Sequence, residues 1–440
     1  MTGWTKRTTR PDSPLAAPDA SLAVIDRAEA ERLDAADPLR GLRAAFEIPE
    51  TEPIYLDGNS LGRLPKKTLE RLSAAVRDGW GGRVVRGWDD WIELPARVGD
   101  AIAAGFLGAA PGEVVVSDST TVNLYKLASA ALDARPGRRV VLAAADEFPT
   151  DRYVLEGLAQ TRGLDLRLLA ADPVEGISVA DLARALGSDV ALVCLSLVNY
   201  RSGARADLDA ITRLVHDAGA MMLWDLSHAV GAVPIDLAAA GAELAVGCTY
   251  KYLNGGPGAP AFLYVRRDLQ DALRQPIQGW FGQHEQFAMG DPYDPEPGIT
   301  HYLTGTPSVL GLVAIEAAVE VLAGVGIDAL RARSIALTEL VVALWRRWLG
   351  PLGFSLGSPL DPARRGGHVS LRHADAWPID RALIETAGVV TDFRAPDRIR
   401  IAPMAAYTRF TEVWDALDRL RALVERGDHL RAAAGPRRVT

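Results

Sequence analysis

Between about residue 113 and residue 265 the chain alternates short, continuously apolar runs with amphipathic stretches. The runs Glu113–Ser117, Arg139–Ala144, Val190–Leu197, Ala220–Asp225, Leu244–Cys248 and Ala261–Val265 predict strands. The stretches near 121–132, 151–162, 179–187 and 207–218 predict helices between them. Strands that are apolar throughout have both faces covered, and helices alternating with them supply the cover. The pattern therefore predicts an α/β domain built on a mostly parallel sheet.

The flanks read differently. Residues 1 to about 20 are rich in Thr, Pro, Arg and Asp and read as a loose arm, followed by a helix over roughly 22–36. The segment 275–305 is irregular and rich in Gly and Pro, and long loops of this kind are often functional. A helical pattern then runs from about 307 to 349, interrupted by Gly324-Val-Gly326. From about 350 to 430, strands near 367–372, 388–392 and 398–402 mix with helices near 379–387 and 409–427, which predicts a smaller α+β domain. The expected divisions are 1–50 for the arm and first helix, 51–325 for the large domain and 326–440 for the small C-terminal one.

Composition narrows the function classes. The 440 residues are 48% hydrophobic and 24% charged, an ordinary globular balance. The net charge is −8 and no basic stripe dominates, so neither nucleic acid nor an anionic membrane is an expected partner. The only two cysteines, Cys194 and Cys248, lie inside apolar runs, which excludes a disulfide framework and a zinc site of Cys pairs. No metal site is expected. No segment reaches the ~18 consecutive apolar residues of a spanning helix. The N-terminus lacks the apolar core of a signal peptide, so the cytoplasm is the expected compartment.

Candidate chemistry collects at the strand ends, where ligands bind in an open parallel sheet. Basic charge is written almost entirely as Arg: only five lysines occur, at 6, 66, 67, 126 and 251. Lys251 closes an apolar run and precedes Tyr252-Leu-Asn-Gly-Gly-Pro-Gly258. A Lys there suits covalent chemistry on a carbonyl, which Arg cannot perform, though a surface Lys at a strand end is the plain alternative. Thr120 and Thr121 sit at or near a helix N-terminus, where hydroxyls and free N–H groups suit a phosphate or simply cap the helix. Phe148 could stack on a ring or fill the core. Asp225 ends a buried strand and needs a partner, which a protonated pyridine nitrogen or an Arg could supply. His228 follows three residues on.

Phosphate anchor, ring-stacking aromatic, strand-end Asp and strand-end Lys, in that order, resemble the pyridoxal-phosphate (PLP) enzymes of the aspartate-aminotransferase fold type, fold type I. Tyr55-Leu-Asp-Gly-Asn-Ser-Leu-Gly62, Asp118-Ser-Thr-Thr-Val-Asn-Leu-Tyr125, Glu147-Phe-Pro-Thr-Asp151, Asp225-Leu-Ser-His-Ala-Val-Gly-Ala-Val-Pro234, Cys248-Thr-Tyr-Lys-Tyr-Leu-Asn-Gly-Gly-Pro-Gly258 and Gly279-Trp-Phe-Gly282 resemble the signature segments of the kynureninase family, in that family's order. The resemblance runs from about residue 50 to about 428. It implies a seven-stranded, mostly parallel sheet flanked by helices, with the small α+β domain C-terminal to it.

It also implies roles. Lys251 would hold the cofactor pyridoxal 5'-phosphate covalently and move protons. Tyr250 would contact the phosphate and protonate the substrate β-carbon. Asp225 would pair with the ring nitrogen beside His228, Phe148 would stack on the ring, and Thr120 and Thr121 would lie near the phosphate. Asp151 and Ser196 would complete the cofactor pocket. Trp280 and Thr306 would reach the cofactor of a neighbouring subunit, which implies a homodimer. Arg400 would grip the substrate α-carboxylate, with Asn59, Ser60 and Trp88 as further substrate positions. Trp88 and Thr306 would sense the 3-position of the substrate's aryl ring and favour L-kynurenine over its 3-hydroxy derivative. The implied reaction is hydrolysis of L-kynurenine to anthranilate and L-alanine. A small aminotransferase of the same fold is the alternative, and a PLP-binding protein without turnover a further one. A cysteine desulfurase would need a Cys on a loop after the Lys, and none follows Cys248.

Overall fold

The structure is a computed structural model that describes residues 26–49 and 51–431. The expected loose arm, the start of the first predicted helix and the Arg-rich C-terminal tail lie outside the described residues. The chain enters through the helix Arg27–Ala36 and a short strand, β1 (Ile54–Tyr55). The large sheet follows: β2 (Val114–Val116), β3 (Val140–Ala144), β4 (Asp165–Leu169), β5 (Val190–Ser196), β6 (Met221–Asp225), β7 (Leu244–Gly247) and β8 (Phe262–Val265). Their order in space is β2-β8-β7-β6-β5-β3-β4. Strands β3 to β7 pair in parallel with their neighbours, and β8 alone runs against β7 and β2.

All six apolar runs are strands of this sheet. Alternation within them explains why they carry no polar face. Val114 and Val116 enter one core cluster, which also takes Leu142, Met222 and Trp224. Val115, Val141, Ala143, Met221 and Leu223 enter another, on the opposite face. Period-two side chains thus meet helices on both sides. The seventh strand, β4, was invisible to the apolar pattern. It lies at the sheet edge, where Asp165, Arg167 and Leu168 are exposed, and charged residues there discourage pairing with another chain.

The predicted helical run 307–349 divides into Val309–Ala323 and Ile327–Leu344. Gly326 sits at the break with φ +88°, a conformation that favours glycine. The second helix packs on a four-stranded antiparallel sheet of order β12-β13-β10-β9, made of β9 (Ser355–Leu356), β10 (Val369–Arg372), β12 (Asp392–Arg394) and β13 (Arg398–Ile401). Helices Ala376–Thr386 and Phe410–Glu425 share its core. A further strand, β11 (Val389–Val390), pairs in parallel with β1. Among the described residues no single helix is long and apolar enough to cross a membrane.

The N-terminal segment sits with the small unit. Ala30 and Leu56 are buried in the same cluster as Leu417, Leu420 and Val389. Asp34 accepts hydrogen bonds from the backbone of Phe410 and Thr411. The fully buried Asp37 pairs with Arg333 at 2.6 Å. The sequence division near residue 51 therefore cuts through a segment that packs as one piece with the C-terminal helices. Removing one member of a buried ion pair strands the other without water. Arg333→Met is expected to destabilise the protein by about 3–5 kcal/mol, read as a lower urea midpoint with an unchanged transition slope.

Candidate active site

The parallel strands end on one side, and their loops surround a cavity of about 660 Å³. It is lined by Thr120, Thr121, Phe148, Asp151, Ser196, Asp225, His228, Tyr250, Lys251 and Thr306. Ten positions spread over nearly two hundred residues of sequence thus meet in one place. Trp88, Trp280, Arg400, Asn59 and Ser60 do not line it.

Lys251 stands on a turn fastened by its own backbone. Asn254, at φ +58°, donates its N–H to Lys251 O (3.0 Å), and Gly255 donates to Thr249 O (2.9 Å). Gly62 donates to Tyr250 O (2.8 Å), and a Cβ on Gly62 would come within 2.4 Å of Lys251 O. The glycine that ends the first signature segment is thus needed for close approach to the lysine turn. Lys251 Nζ lies 5.8 Å from the ring centres of both Phe148 and Tyr250. Burial raises the Tyr250 hydroxyl above its ordinary range, so it keeps its proton at neutral pH. Phe148 is 40% exposed and meets the edge of Tyr200 at 5.3 Å, so it borders the cavity instead of filling the core.

One wall is acidic. Asp225 is buried and its Oδ1 accepts from Ser227 N (2.8 Å) and Ser227 Oγ (2.6 Å). Burial, followed by the nearby charges of Asp225 and Glu147, raises Asp151 well above the usual carboxylate range. Asp151 Oδ2 is buried with no hydrogen-bond partner among the described residues. Burial pushes Glu147 up to about 8. Glu147 also accepts from Ser196 N (3.0 Å) and from the Ser196 hydroxyl, so Ser196 reaches the cavity already engaged. Burial, then the charge of Lys251, holds His228 well below its ordinary value, so its imidazole is neutral. Its Nδ1 is buried and unpartnered among the described residues.

The opposite wall is the N-terminus of the helix Thr120–Asp133. Ser119 is the cap: its hydroxyl accepts from Val122 N (3.3 Å). Thr120 and Thr121 are therefore not needed for capping, and both line the cavity at the first turn of the helix, where backbone N–H groups are free. The loop that leads in is locked by a network the sequence reading missed. Asp118, at φ +52°, accepts from Lys126 Nζ (2.8 Å), Ser117 Oγ (2.7 Å) and Thr304 Oγ1 (3.0 Å). Lys126 is fully buried and also donates to Tyr302 O (2.8 Å). The scarcity of lysine was a usable signal here as much as at 251.

The arginine corner lies behind Tyr200. Arg400 is 1% exposed and donates to Asp392 Oδ1 (2.8 Å), Asp392 Oδ2 (2.7 Å), Ser60 Oγ (3.1 Å) and Tyr200 O (2.8 Å). Asn59, with its amide turned to satisfy its neighbours, donates to Asp57 Oδ1 (3.1 Å) and accepts from Arg400 (3.2 Å). Burial, then Asp392, pushes Asp57 up to about 7. The expected carboxylate-gripping fork thus already holds an internal carboxylate, Asp392, which the sequence reading did not name.

Four further positions complete the surroundings. Trp88 packs edge-on against Trp91 (5.6 Å) and tilted against Phe281 (5.7 Å), away from the cavity of its own chain. Thr306 lines the cavity on its exposed rim. His301, in the irregular 275–305 segment, is buried against Tyr302 at 4.1 Å. Trp280 is 38% exposed, stacked edge-on against Phe281 and Phe287.

Residues 54–347 match the aminotransferase class-V family, and residues 330–420 match the kynureninase C-terminal domain. Kynureninase of Pseudomonas fluorescens is 43% identical over 402 residues, which cover 90% of this chain and 94% of that protein. This chain belongs to the kynureninase family. A kynureninase of Burkholderia pseudomallei (strain 1106a) is 42% identical over 91% of this chain and 95% of its own length. Among solved structures, a cysteine desulfurase from Thermococcus onnurineus NA1 superposes with a TM-score of 0.77 at 18% identity, covering 88% of this chain and 98% of that one. A C-DES mutant with glycine covalently linked to the PLP cofactor gives 0.73 at 19% identity, over 90% and 99%. At such identities the likeness is one of fold.

The cofactor of the kynureninase family is pyridoxal phosphate, and the cavity's donors and acceptors fit it. A helix N-terminus with two spare hydroxyls suits the phosphate. The acidic wall, with its orphaned Asp151 oxygen, lacks the cation that a protonated pyridine nitrogen provides. Lys251 projects between them. The two lysines of the region should separate cleanly by stability. Lys126→Met leaves Asp118 without its cation and is expected to cost about 3–5 kcal/mol. Lys251→Ala, which removes a cavity-facing side chain, should leave the urea midpoint near that of the parent protein.

Proposed function

We propose that this protein hydrolyses L-kynurenine to anthranilate and L-alanine, with Lys251 as the residue that carries pyridoxal phosphate. The single observation that supports this best is the placement of Lys251 between the acidic wall and the hydroxyl-lined helix N-terminus, in a chain 43% identical to a kynureninase. When bound, pyridoxal phosphate supplies the electron sink that makes the substrate's Cα proton and Cβ–Cγ bond labile. The protein's residues supply the rest. Asp225 and Asp151 would hold a protonated ring nitrogen, and the neutral His228 would support that wall without adding a competing charge. Phe148 would cover one face of the ring. Lys251 Nζ would take the Cα proton and return it to Cα after cleavage, so that L-alanine leaves with its hydrogen restored. Water adds to the γ-carbonyl, the Cβ–Cγ bond breaks, and the Tyr250 hydroxyl protonates Cβ. Its raised pKa keeps that proton in place until the β-carbon needs it. Arg400 binds the α-carboxylate, with Asn59 and Ser60 shaping that corner.

Purified protein given L-kynurenine should release fluorescent anthranilate without any oxo-acid acceptor. An absolute need for an acceptor would instead mark an aminotransferase. Borohydride should fix the cofactor to Lys251, and Lys251→Ala should lose at least a thousandfold in kcat, on the order expected for loss of a covalent catalyst. Label recovered on Lys126 or Lys66 would overturn the assignment.

The reading includes a cytoplasmic homodimer. Both cysteines are free, as suits a reducing compartment. Trp280, Phe287 (62% exposed) and Met289 (70% exposed) present apolar surface on the irregular 275–305 segment. Trp280 would complete the site of the neighbouring subunit. Mixing inactive Lys251→Ala with weakened Trp280→Ala subunits should then raise activity above either parent, because a hybrid dimer holds one intact site. A monomer with full activity in sedimentation-checked assays would rule this out.

A further inference from the structure

Strands β12 and β13 place three charged side chains together. Asp392 is directly opposite Arg400 across the antiparallel pair, and Arg394 lies two residues further along β12. Side chains two apart on a strand share a face, and directly opposite residues are neighbours on it. Accordingly Asp392, with no exposed surface, meets both guanidiniums: Arg400 through two bonds of 2.8 and 2.7 Å, and Arg394 Nη2 at 2.7 Å from Oδ2.

Arg400 has five N–H groups. Nε and one Nη2 hydrogen go to Asp392, the other Nη2 hydrogen to Ser60 Oγ, and the Nη1 pair to Tyr200 O and Asn59. No donor is spare, and the side chain is 1% exposed. A carboxylate can therefore reach Arg400 only by replacing an acceptor the protein already supplies. The two-pronged acceptor matching a carboxylate's geometry is Asp392. Asp392 cannot retreat to water, and a buried carboxylate without a partner is strongly disfavoured.

We propose that Arg394 is a positioning residue: it takes over Asp392 when Arg400 turns to the α-carboxylate of an incoming amino-acid substrate. Arg394 already bonds Asp392, and its side chain, 29% exposed against 1% for Arg400, has room to move. The exchange keeps every charge paired. No bond other than hydrogen bonds forms or breaks. The inference rests on the reading of Arg400 given above.

The test uses the cofactor-loaded enzyme and two readouts: KM and kcat for L-kynurenine, and the Kd of the product L-alanine, read from the bound cofactor's absorbance. Arg394→Met should raise KM and the L-alanine Kd together by about ten- to hundredfold, with kcat within roughly threefold. Arg394→Lys, which keeps a cation beside Asp392, should recover most of the loss. Asp392→Asn removes the carboxylate that needs a partner, so adding Arg394→Met to it should change KM less than threefold. Should Arg394→Met fail to fold, Arg394→Gln carries the same expectations. Equal KM in parent and Arg394 variants, additive effects in the double variant, or a loss confined to kcat would each overturn the proposal. Failure of the underlying reading looks different: Arg400→Lys would then leave KM and the L-alanine Kd unchanged, or the parent enzyme would release no anthranilate.

Discussion

Three buried carboxyl groups control the centre of this molecule. Glu147 and Asp151 are buried just after β3, in the loop and helix that follow it, and Asp225 is buried at the end of β6, two strands away in the sheet. Burial and mutual repulsion raise Glu147 and Asp151 together, so the wall holds protons it would give up in water. Such a wall is unfavourable by itself and becomes favourable when a cation is placed against it. A protonated pyridine nitrogen is such a cation, and Lys251 approaches from the other side.

Everything around that wall serves to hold it in register. Parallel strands β3, β5, β6 and β7 deliver Phe148, Ser196, Asp225 and Lys251 to the same side because each ends in the same direction. The reversed β8 carries the chain back across the sheet, so that the loop before β2's partner helix and the loop after residue 300 become neighbours. Lys126 and Asp118 then bind these two loops through Tyr302 and Thr304. The lysine is fully buried and the aspartate partly so, which makes the pair poor as a source of stability and good as a device for fixing geometry.

The sequence disclosed features that depend on local pattern. The apolar runs fixed six of seven strands because both sheet faces are dry. The edge strand β4 escaped because its exposed side carries Asp165 and Arg167. Ten of the fifteen candidate site residues line the cavity, since strand ends and helix starts can be read locally. Asp392, Arg394 and Lys126 were not legible as partners, because their roles arise from cross-strand register or from contacts between loops far apart in the chain. The packing of Trp88 against Trp91 and Phe281 was not legible either, because an isolated indole gives no sign of which way it faces.

The segment from Ile54 to Gly62 touches both halves of the chemistry. At one end β1 pairs with β11, Leu56 is buried among the helices of the small unit, and Asp57 bridges to Ala402 beside Arg400. At the other end Gly62 is pressed against the Lys251 turn. In between, Ser60 bonds both Asp392 and Arg400. These nine residues act as a short tie rod: a shift of the small unit that moves the arginine corner also pulls on the turn that presents the lysine. The arginine corner at one end is thereby tied through nine residues of backbone to the Lys251 turn at the other.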